Sequence, residues 1–315
     1  MELVYETALR AGRQADWSDP NWSMINMGGF GFGARFFLNI AVTNNDLKLA
    51  EWLLRHGGSP NADPPRHPKS SKRTLYEEAI RRGFTRMAEL LERCGASPAA
   101  PKALEGEEAF TAACLRLDRE EVVARLAEHP EYLRSPVAIF EAVSRDRADV
   151  VRLLIDLGTS IEIEDEHKQR PLHVAASNDS LRVAALLIER GAEVDPVESN
   201  WGATPLGFAI YEQKTRMIEL LGSISRNIWE LVSSGQIERL RELLDAPELA
   251  KIAVESNTPL MWLPDDEANA IEIVKLLLAY GADPTIRNDE GITAADCAEK
   301  RGLYVAAELL RSKAG

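Results

Sequence analysis

A pattern with a period of 34 residues constrains the fold of this chain more than any other feature of its sequence. The segment Pro171–Ala175 predicts the start of a short helix that contains small residues. Four apolar residues then follow at helical spacing and predict the buried stripe of a second helix: Val183, Leu186, Leu187 and Ile188. Gly191 ends that helix, and Thr204-Pro205-Leu206 starts the pattern again. One such unit cannot bury its apolar faces alone, so neighbouring units must stack.

This pattern resembles the ankyrin repeat, and the segment PLHVA matches four positions of that motif. A glycine follows the second helix in five copies: Gly57, Gly95, Gly158, Gly191 and Gly281. The resemblance covers about residues 34–315. It implies an all-α ankyrin-repeat solenoid of about nine helix pairs with an atypical N-terminal cap. It also implies a non-catalytic scaffold for protein–protein interaction, which binds through its finger tips and first-helix face.

Three regions are expected from this pattern. Residues 1–33 contain an N-terminal helix and an aromatic, glycine-rich segment that serves as a cap. Residues 34–222 form a first array of repeats, and residues 223–315 form a second array that ends in a terminal cap. Near the second boundary the connection shortens to GSISR, which leaves no hairpin finger.

Charge and cysteine content limit the classes of partner and compartment. The net charge of −13 and the pI of about 5.0 argue against nucleic acid and anionic membrane as main partners. Three cysteines do not suggest a disulfide framework, which favours a reducing compartment. The sequence begins without the pattern of a signal peptide, and no apolar run approaches a membrane span. We therefore expect a soluble cytoplasmic protein, monomeric rather than homo-oligomeric.

The sequence carries no motif that predicts catalysis, a cofactor or a metal ion. Its five histidines include no HExxH pair, and the motif position of His173 favours a structural role. Residues 28–33 are rich in glycine, but no strand is expected before them and no lysine-serine/threonine pair follows, which argues against a nucleotide site. The acidic residues near Glu164 lack EF-hand spacing.

Residues 160–200 contain nine Asp/Glu and four Lys/Arg, and most of the acidic residues lie at predicted turn and finger positions. Seven of them are expected to contribute to one negative strip: Glu162, Glu164, Asp165, Glu166, Glu193, Asp195 and Glu198. Fingers of successive repeats project from the same side, so this strip would surround Trp201 at a finger tip and attract a basic segment of a partner protein.

Exposed tryptophans and carboxylates together define the expected binding residues, because aromatic side chains are enriched at binding hot spots. Trp262 lies in a first helix beside an acidic insertion, where core packing is an equal alternative. The predicted partner-binding residues are Trp17, Trp22, Phe30, Phe32, Glu164, Asp165, Glu166, Trp201, Trp262, Asp265 and Asp266.

The aromatic block, residues 16–37, leaves four alternatives open. It contains six aromatic residues, which either cap the first repeat or bind a ligand. A pocket between this block and the first repeats would instead suit an enzyme or a small-molecule sensor. The same block could also join two copies of the chain.

Deletion of residues 1–33 separates the capping role from the ligand-binding role. If the segment is a cap, the truncated chain exposes apolar surface and aggregates, which light scattering detects. If the segment binds a ligand, the truncated chain stays monomeric and stable but loses that ligand. A truncated chain that keeps both properties would contradict both roles.

Overall fold

The computed structural model describes residues 23–27, 30–56, 58–61, 74–97, 105–244, 251 and 257–314. The chain divides into two compact units, Met1–Tyr132 and Leu133–Gly315. The region boundaries expected after residues 33 and 222 stay predictions. In the described ranges, no helix has the length and apolar character that a membrane crossing requires.

The first unit contains a β-hairpin that the sequence pattern had not indicated. Strand β1 (Ser23–Met27) pairs antiparallel with β2 (Phe30–Gly33). Met27 lies opposite Phe30, and Asn26 lies opposite Gly31. The expectation that no strand precedes the glycine-rich segment is therefore wrong. The segment Phe30–Gly33 alternates large and minimal side chains with a period of two, which is a strand pattern that the glycines obscured.

Helix pairs follow the hairpin in the first unit. They are α1 (Ala34–Thr43) with α2 (Leu47–Arg55), α3 (Leu75–Arg81) with α4 (Thr85–Arg93), and α5 (Gly106–Arg116) with α6 (Arg119–Glu128). A 3-10 turn, Pro130–Arg134, follows α6.

The second unit continues with six pairs. They are α7 (Val137–Ser144) with α8 (Ala148–Asp156), α9 (Pro171–Ser177) with α10 (Leu181–Glu189), α11 (Pro205–Tyr211) with α12 (Thr215–Gly222), α13 (Ile228–Ser233) with α14 (Ile237–Leu243), a 3-10 helix (Pro259–Met261) with α15 (Glu267–Ala279), and α16 (Ala294–Lys300) with α17 (Tyr304–Ala314). The described ranges thus contain nine pairs, and the predicted fold class is confirmed. Pro264 keeps the 3-10 helix short, because a proline disfavours α-helix in the residue before it.

One hydrogen-bond pattern closes the first helix in eight of these pairs. The turn after the helix holds a residue with positive φ: Asn45, Gly83, Leu117, Asp146, Asp179, Gln213, Gly235 and Gly302. The next backbone N–H then bonds to a carbonyl five residues earlier, as Ser180 does to Ala175 at 2.9 Å. The eight acceptors are Ala41, Ala79, Ala113, Ala142, Ala175, Ala209, Leu231 and Ala298, and all are buried. Alanine suits this position because the second helix packs closely against it.

Five of the second helices end with the same kind of bond, and its acceptor is the carbonyl of a leucine. The backbone N–H of Ala192 bonds to the Leu187 carbonyl at 2.9 Å, across Gly191, whose φ is 85°. The same bond recurs at Leu53, Leu91, Leu154 and Leu277. The glycines predicted to end these helices have positive φ at 95, 158, 191 and 281, and Gly57 lies outside the described residues.

Leu187→Ala should lower the free energy of unfolding by about 2–5 kcal/mol, because this side chain is fully buried between helices. Chemical denaturation followed by far-UV circular dichroism measures the change. Val305→Ala, at a half-exposed position, is the control and should change stability by less than about 0.5 kcal/mol. Equal effects of the two substitutions would contradict the assigned register.

Candidate protein-binding surface

The first helices of the second unit form a row. Helix α7 contacts α9, α9 contacts α11, α11 contacts α13, α13 contacts the 3-10 helix Pro259–Met261, and that 3-10 helix contacts α16. On α11, Leu206 and Ala209 are fully buried, whereas Tyr211 keeps 83% of its surface exposed. The side of α11 that carries Tyr211 is therefore free to meet a partner.

Three aromatic residues, which we call the aromatic ridge, run from a finger tip onto α11. Trp201 packs edge to face with Phe208, with 5.9 Å between ring centroids. Phe208 and Tyr211 are three residues apart on the helix, so they share one side of it. Trp201 keeps 71% of its surface exposed. The prediction of an exposed Trp201 is confirmed, whereas Phe208 and Tyr211 were not predicted from the sequence.

His173 packs against Phe208 of the aromatic ridge. Its ring lies 5.8 Å from that of Phe208, again edge to face. The backbone N–H of Arg170 donates to Nδ1, and Nε2 donates to the carbonyl of Pro196, each at 3.1 Å. Burial lowers the pKa of His173, so the ring is held neutral with its proton on Nε2. The predicted structural role is confirmed.

Glu198 fixes the backbone of the loop that carries Trp201. Its carboxylate accepts backbone N–H bonds from Asn200 and Trp201, both at 2.7 Å, and from Ala203 at 3.1 Å. Burial opposes the ionised form, but these bonds outweigh it and lower the pKa of Glu198. With 1% of its surface exposed, Glu198 is not part of a surface strip, and that expectation is wrong. Sequence spacing does not show that a finger carboxylate turns inward to satisfy its own loop.

The finger that precedes Trp201 is stabilised by Asp165. Its carboxylate accepts the backbone N–H groups of His167, at 2.8 Å, and Gln169, at 2.9 Å. The carbonyl of His167 in turn accepts both the backbone N–H of Ser199, at 2.8 Å, and its hydroxyl, at 2.9 Å. The finger of residues 160–169 and the Trp201 loop are thereby tied together.

Arg170 neutralises part of the acidic group. Its guanidinium reaches Glu162 at 3.0 Å, Glu164 at 2.9 Å and Glu193. Glu166 differs from these residues, because its side chain is 86% exposed and its ion-pair contact among the described residues is the His167 ring, at 3.5 Å. Glu166 is therefore the carboxylate of this finger that is most available to a partner.

The other predicted binding residues lie apart from the ridge. Trp262 follows the 3-10 helix and is 54% exposed, which excludes the alternative of full burial in the core. Asp265 pairs with Arg301, and Asp266 caps α15 by accepting the backbone N–H of Asn269 at 2.9 Å. Both carboxylates thus have structural contacts, and their role in binding stays a prediction.

Four of the predicted residues have no described side chain. Trp17 and Trp22 lie outside the described residues, as does the basic loop of residues 66–73. Phe30 and Phe32 lie in β2, where the backbone alone is described. Within the described ranges, no three His, Cys, Asp or Glu side chains come together in a way that could hold a metal ion. Burial raises the pKa of Cys114 to about 12, so this thiol stays protonated at neutral pH.

Glu230, on α13, is a contact residue that the sequence pattern did not reveal. The Thr204 hydroxyl donates to its carboxylate, and a Cβ atom at Gly207 would lie 2.7 Å from its Oε1. Gly207 stands where the preceding repeat has His173, so the Glu230 carboxylate occupies space that a histidine there would need. Burial, together with the nearby negative charge of Asp195, raises the pKa of Glu230.

Glu230→Gln should make stability less dependent on pH. A raised pKa in the folded state means that Glu230 favours folding most below the ordinary glutamate pKa, about 4.3, and that this contribution is lost as pH rises through the folded pKa. At pH 7 the variant should therefore be more stable than the wild type, whereas at pH 4 it should not. Urea denaturation at the two pH values measures the difference. Glu308→Gln, at an exposed site, is the control. An equal difference in stability between the variant and the wild type at both pH values would contradict a raised pKa of Glu230.

Comparison with known proteins identifies the repeats. The family described as ankyrin repeats (3 copies) matches residues 111–198 and 139–230, and the single ankyrin repeat matches residues 255–289. The residues that carry the aromatic ridge and the Glu198 loop lie inside the second of these matches.

Other proteins are similar to part of this chain in sequence or in structure. Human "Ankyrin repeat and SOCS box protein 16" is 28% identical over 51% of this chain and 40% of its own length. "Serine/threonine-protein kinase VIK" of Arabidopsis thaliana is 37% identical over 29% of this chain and 20% of its own length. An ankyrin repeat domain from Acinetobacter baumannii AYE aligns with 56% of this chain and 98% of its own, at 23% identity and a TM-score of 0.44. The chain thus spans less than half of these curated relatives. The resemblance seen in the sequence is confirmed, and the chain is an ankyrin-repeat protein.

Proposed function

We propose that this chain is a non-catalytic scaffold that binds a partner protein through the finger tips and first-helix face of its second unit. Ankyrin repeats generally mediate protein–protein interaction. The observation that carries the finer proposal is Trp201, which is exposed yet held in place by the Glu198 loop and by Phe208.

The energetics of the ridge favour binding. Trp201 and Tyr211 expose most of their surface to water, and covering a large aromatic side chain contributes roughly 2–3 kcal/mol. Since the Trp201 backbone is already fixed, little conformational entropy remains to be lost on association. A rigid aromatic group is therefore a suitable hot spot for a partner.

Charge supports a basic segment in the partner. Arg170 faces three carboxylates, so that group keeps an excess of negative charge, and Glu166 adds another exposed carboxylate on the same finger. Such a field speeds association with a positively charged segment and orients it. The carboxylates of Glu164 and Asp165 contribute to the field while they hold the finger.

Compartment and oligomeric state form a further part of the proposal. A cytoplasmic location agrees with three cysteines that form no disulfide among themselves. A monomer agrees with the net charge of −13, which opposes self-association. The alternative of an enzyme or small-molecule sensor depends on the aromatic block, residues 16–37, in which Phe37 is the one aromatic residue whose side chain is described, and no observation favours it.

Two single substitutions test the proposal on a partner purified from the native cell with the full chain. Trp201→Ala should speed dissociation, because it removes desolvated contact area. Glu166→Lys should slow association, most strongly at low salt, because it weakens electrostatic steering. Surface plasmon resonance measures both rates. Glu166 is preferred to Asp165 because reversing Asp165 would also break the finger turn.

Glu308→Lys provides the matched control, since it makes the same charge change at an exposed site on α17. It should leave both rates close to those of the wild type. If Trp201→Ala and Glu166→Lys behave like this control, the partner binds elsewhere on the chain.

A further inference from the structure

The indole of Trp201 presents an open face. In an edge-to-face pair, one ring meets its neighbour through an edge, so Phe208 covers at most one face of the indole. The interplanar angle is 71°, and 71% of the residue surface is exposed. Among the described residues, Phe208 is the ring that contacts Trp201. At least one face of the indole is thus left for a ligand.

An exposed carboxylate lies on the finger that is hydrogen-bonded to the Trp201 loop. Glu166 directly precedes His167, whose carbonyl is bonded twice to Ser199, two residues before Trp201. Because both loops are internally fixed, by Asp165 and by Glu198, the fold sets the separation of the Glu166 and Trp201 backbones.

The nearby arginine cannot supply a cation to this pair. Arg170 already contacts Glu162, Glu164 and Glu193, and 22% of its side chain is exposed. The cation that completes the aromatic face and the carboxylate is therefore drawn from another molecule rather than from Arg170. Arginine fits both groups better than lysine, since its flat, weakly hydrated guanidinium stacks on aromatic rings and donates paired N–H bonds to a carboxylate.

We propose that Trp201 and Glu166 form a receptor for an arginine side chain of the partner, whose guanidinium stacks on the indole and bonds to the carboxylate. This inference rests on the proposed function, because it specifies which residue of the basic segment the ridge selects. Glu198 acts as a positioning residue that keeps the indole in place.

Two short peptides of equal charge test the inference on the full chain. One is acetyl-Ala-Arg-Ala-Arg-Ala-amide and the other carries lysine at both basic positions. Nuclear magnetic resonance follows the indole N–H signals, and Trp201→Ala identifies the Trp201 signal by its loss. The arginine peptide should shift that signal and bind roughly two- to fivefold more tightly than the lysine peptide.

Three variants make the test specific. Trp201→Ala should abolish the preference for arginine. Glu166→Gln should weaken binding of both peptides, while Glu308→Gln, which removes one charge at a remote exposed site, should not. Equal affinity for the two peptides, or a Trp201 signal that neither peptide moves, would overturn the inference.

Failure of this inference is distinguishable from failure of the proposed function. If the native partner dissociates faster from the Trp201→Ala chain but the peptides are bound equally, the ridge is a binding site without selectivity for arginine. If Trp201→Ala leaves the native partner unaffected, the ridge itself is not the site, and the inference fails with it.

Discussion

In eight of the nine described pairs, a backbone N–H after the inter-helix turn bonds to a buried carbonyl inside the first helix, and this bond sets the geometry on which the repeats depend. In the fifth pair this bond joins Ser180 to Ala175, and Ala175 is completely buried. The turn between them requires a left-handed residue, here Asp179 with φ of 55°. Closing the first helix so tightly allows the second to run back against it, and the residue at the contact is alanine in seven of the eight pairs. Each pair then has two apolar faces, and stacking covers them.

Given that stacking, the fingers are placed by hydrogen bonds between neighbouring repeats. Ser199 bonds to His167, and Asp195 accepts the Ser225 hydroxyl at 2.6 Å and the Arg226 backbone N–H at 2.8 Å. These bonds join loops that are about one repeat apart in sequence. The result is a rigid edge rather than a set of independent loops, which is why an exposed Trp201 keeps a defined position.

At the contact of α11 and α13, a side chain of one repeat occupies the space left by a missing side chain in the repeat before it. Gly207 has no side chain at the motif histidine position, and the Glu230 carboxylate fills that space with the Thr204 hydroxyl as its donor. Gly207 leaves room for the Glu230 carboxylate, and the Thr204 hydroxyl supplies a hydrogen bond that offsets part of the cost of taking this carboxylate out of water. The pair is therefore best understood as a unit, and it lies in the same stretch of the second unit as the aromatic ridge.

Local pattern was enough to predict the helix pairs, the glycines at the ends of the second helices, the structural role of His173 and the exposure of Trp201. These features depend on helical spacing, turn chemistry and one motif, all of which are encoded within about 34 residues. The hairpin formed by β1 and β2 was missed because the glycines obscured its period of two. The roles of individual carboxylates depended on tertiary structure. Glu198 and Glu166 look alike in a finger sequence, yet three backbone N–H groups bury one while the other stays in water. Partners such as Gly207 and Glu230, 23 residues apart, meet only after repeats have stacked.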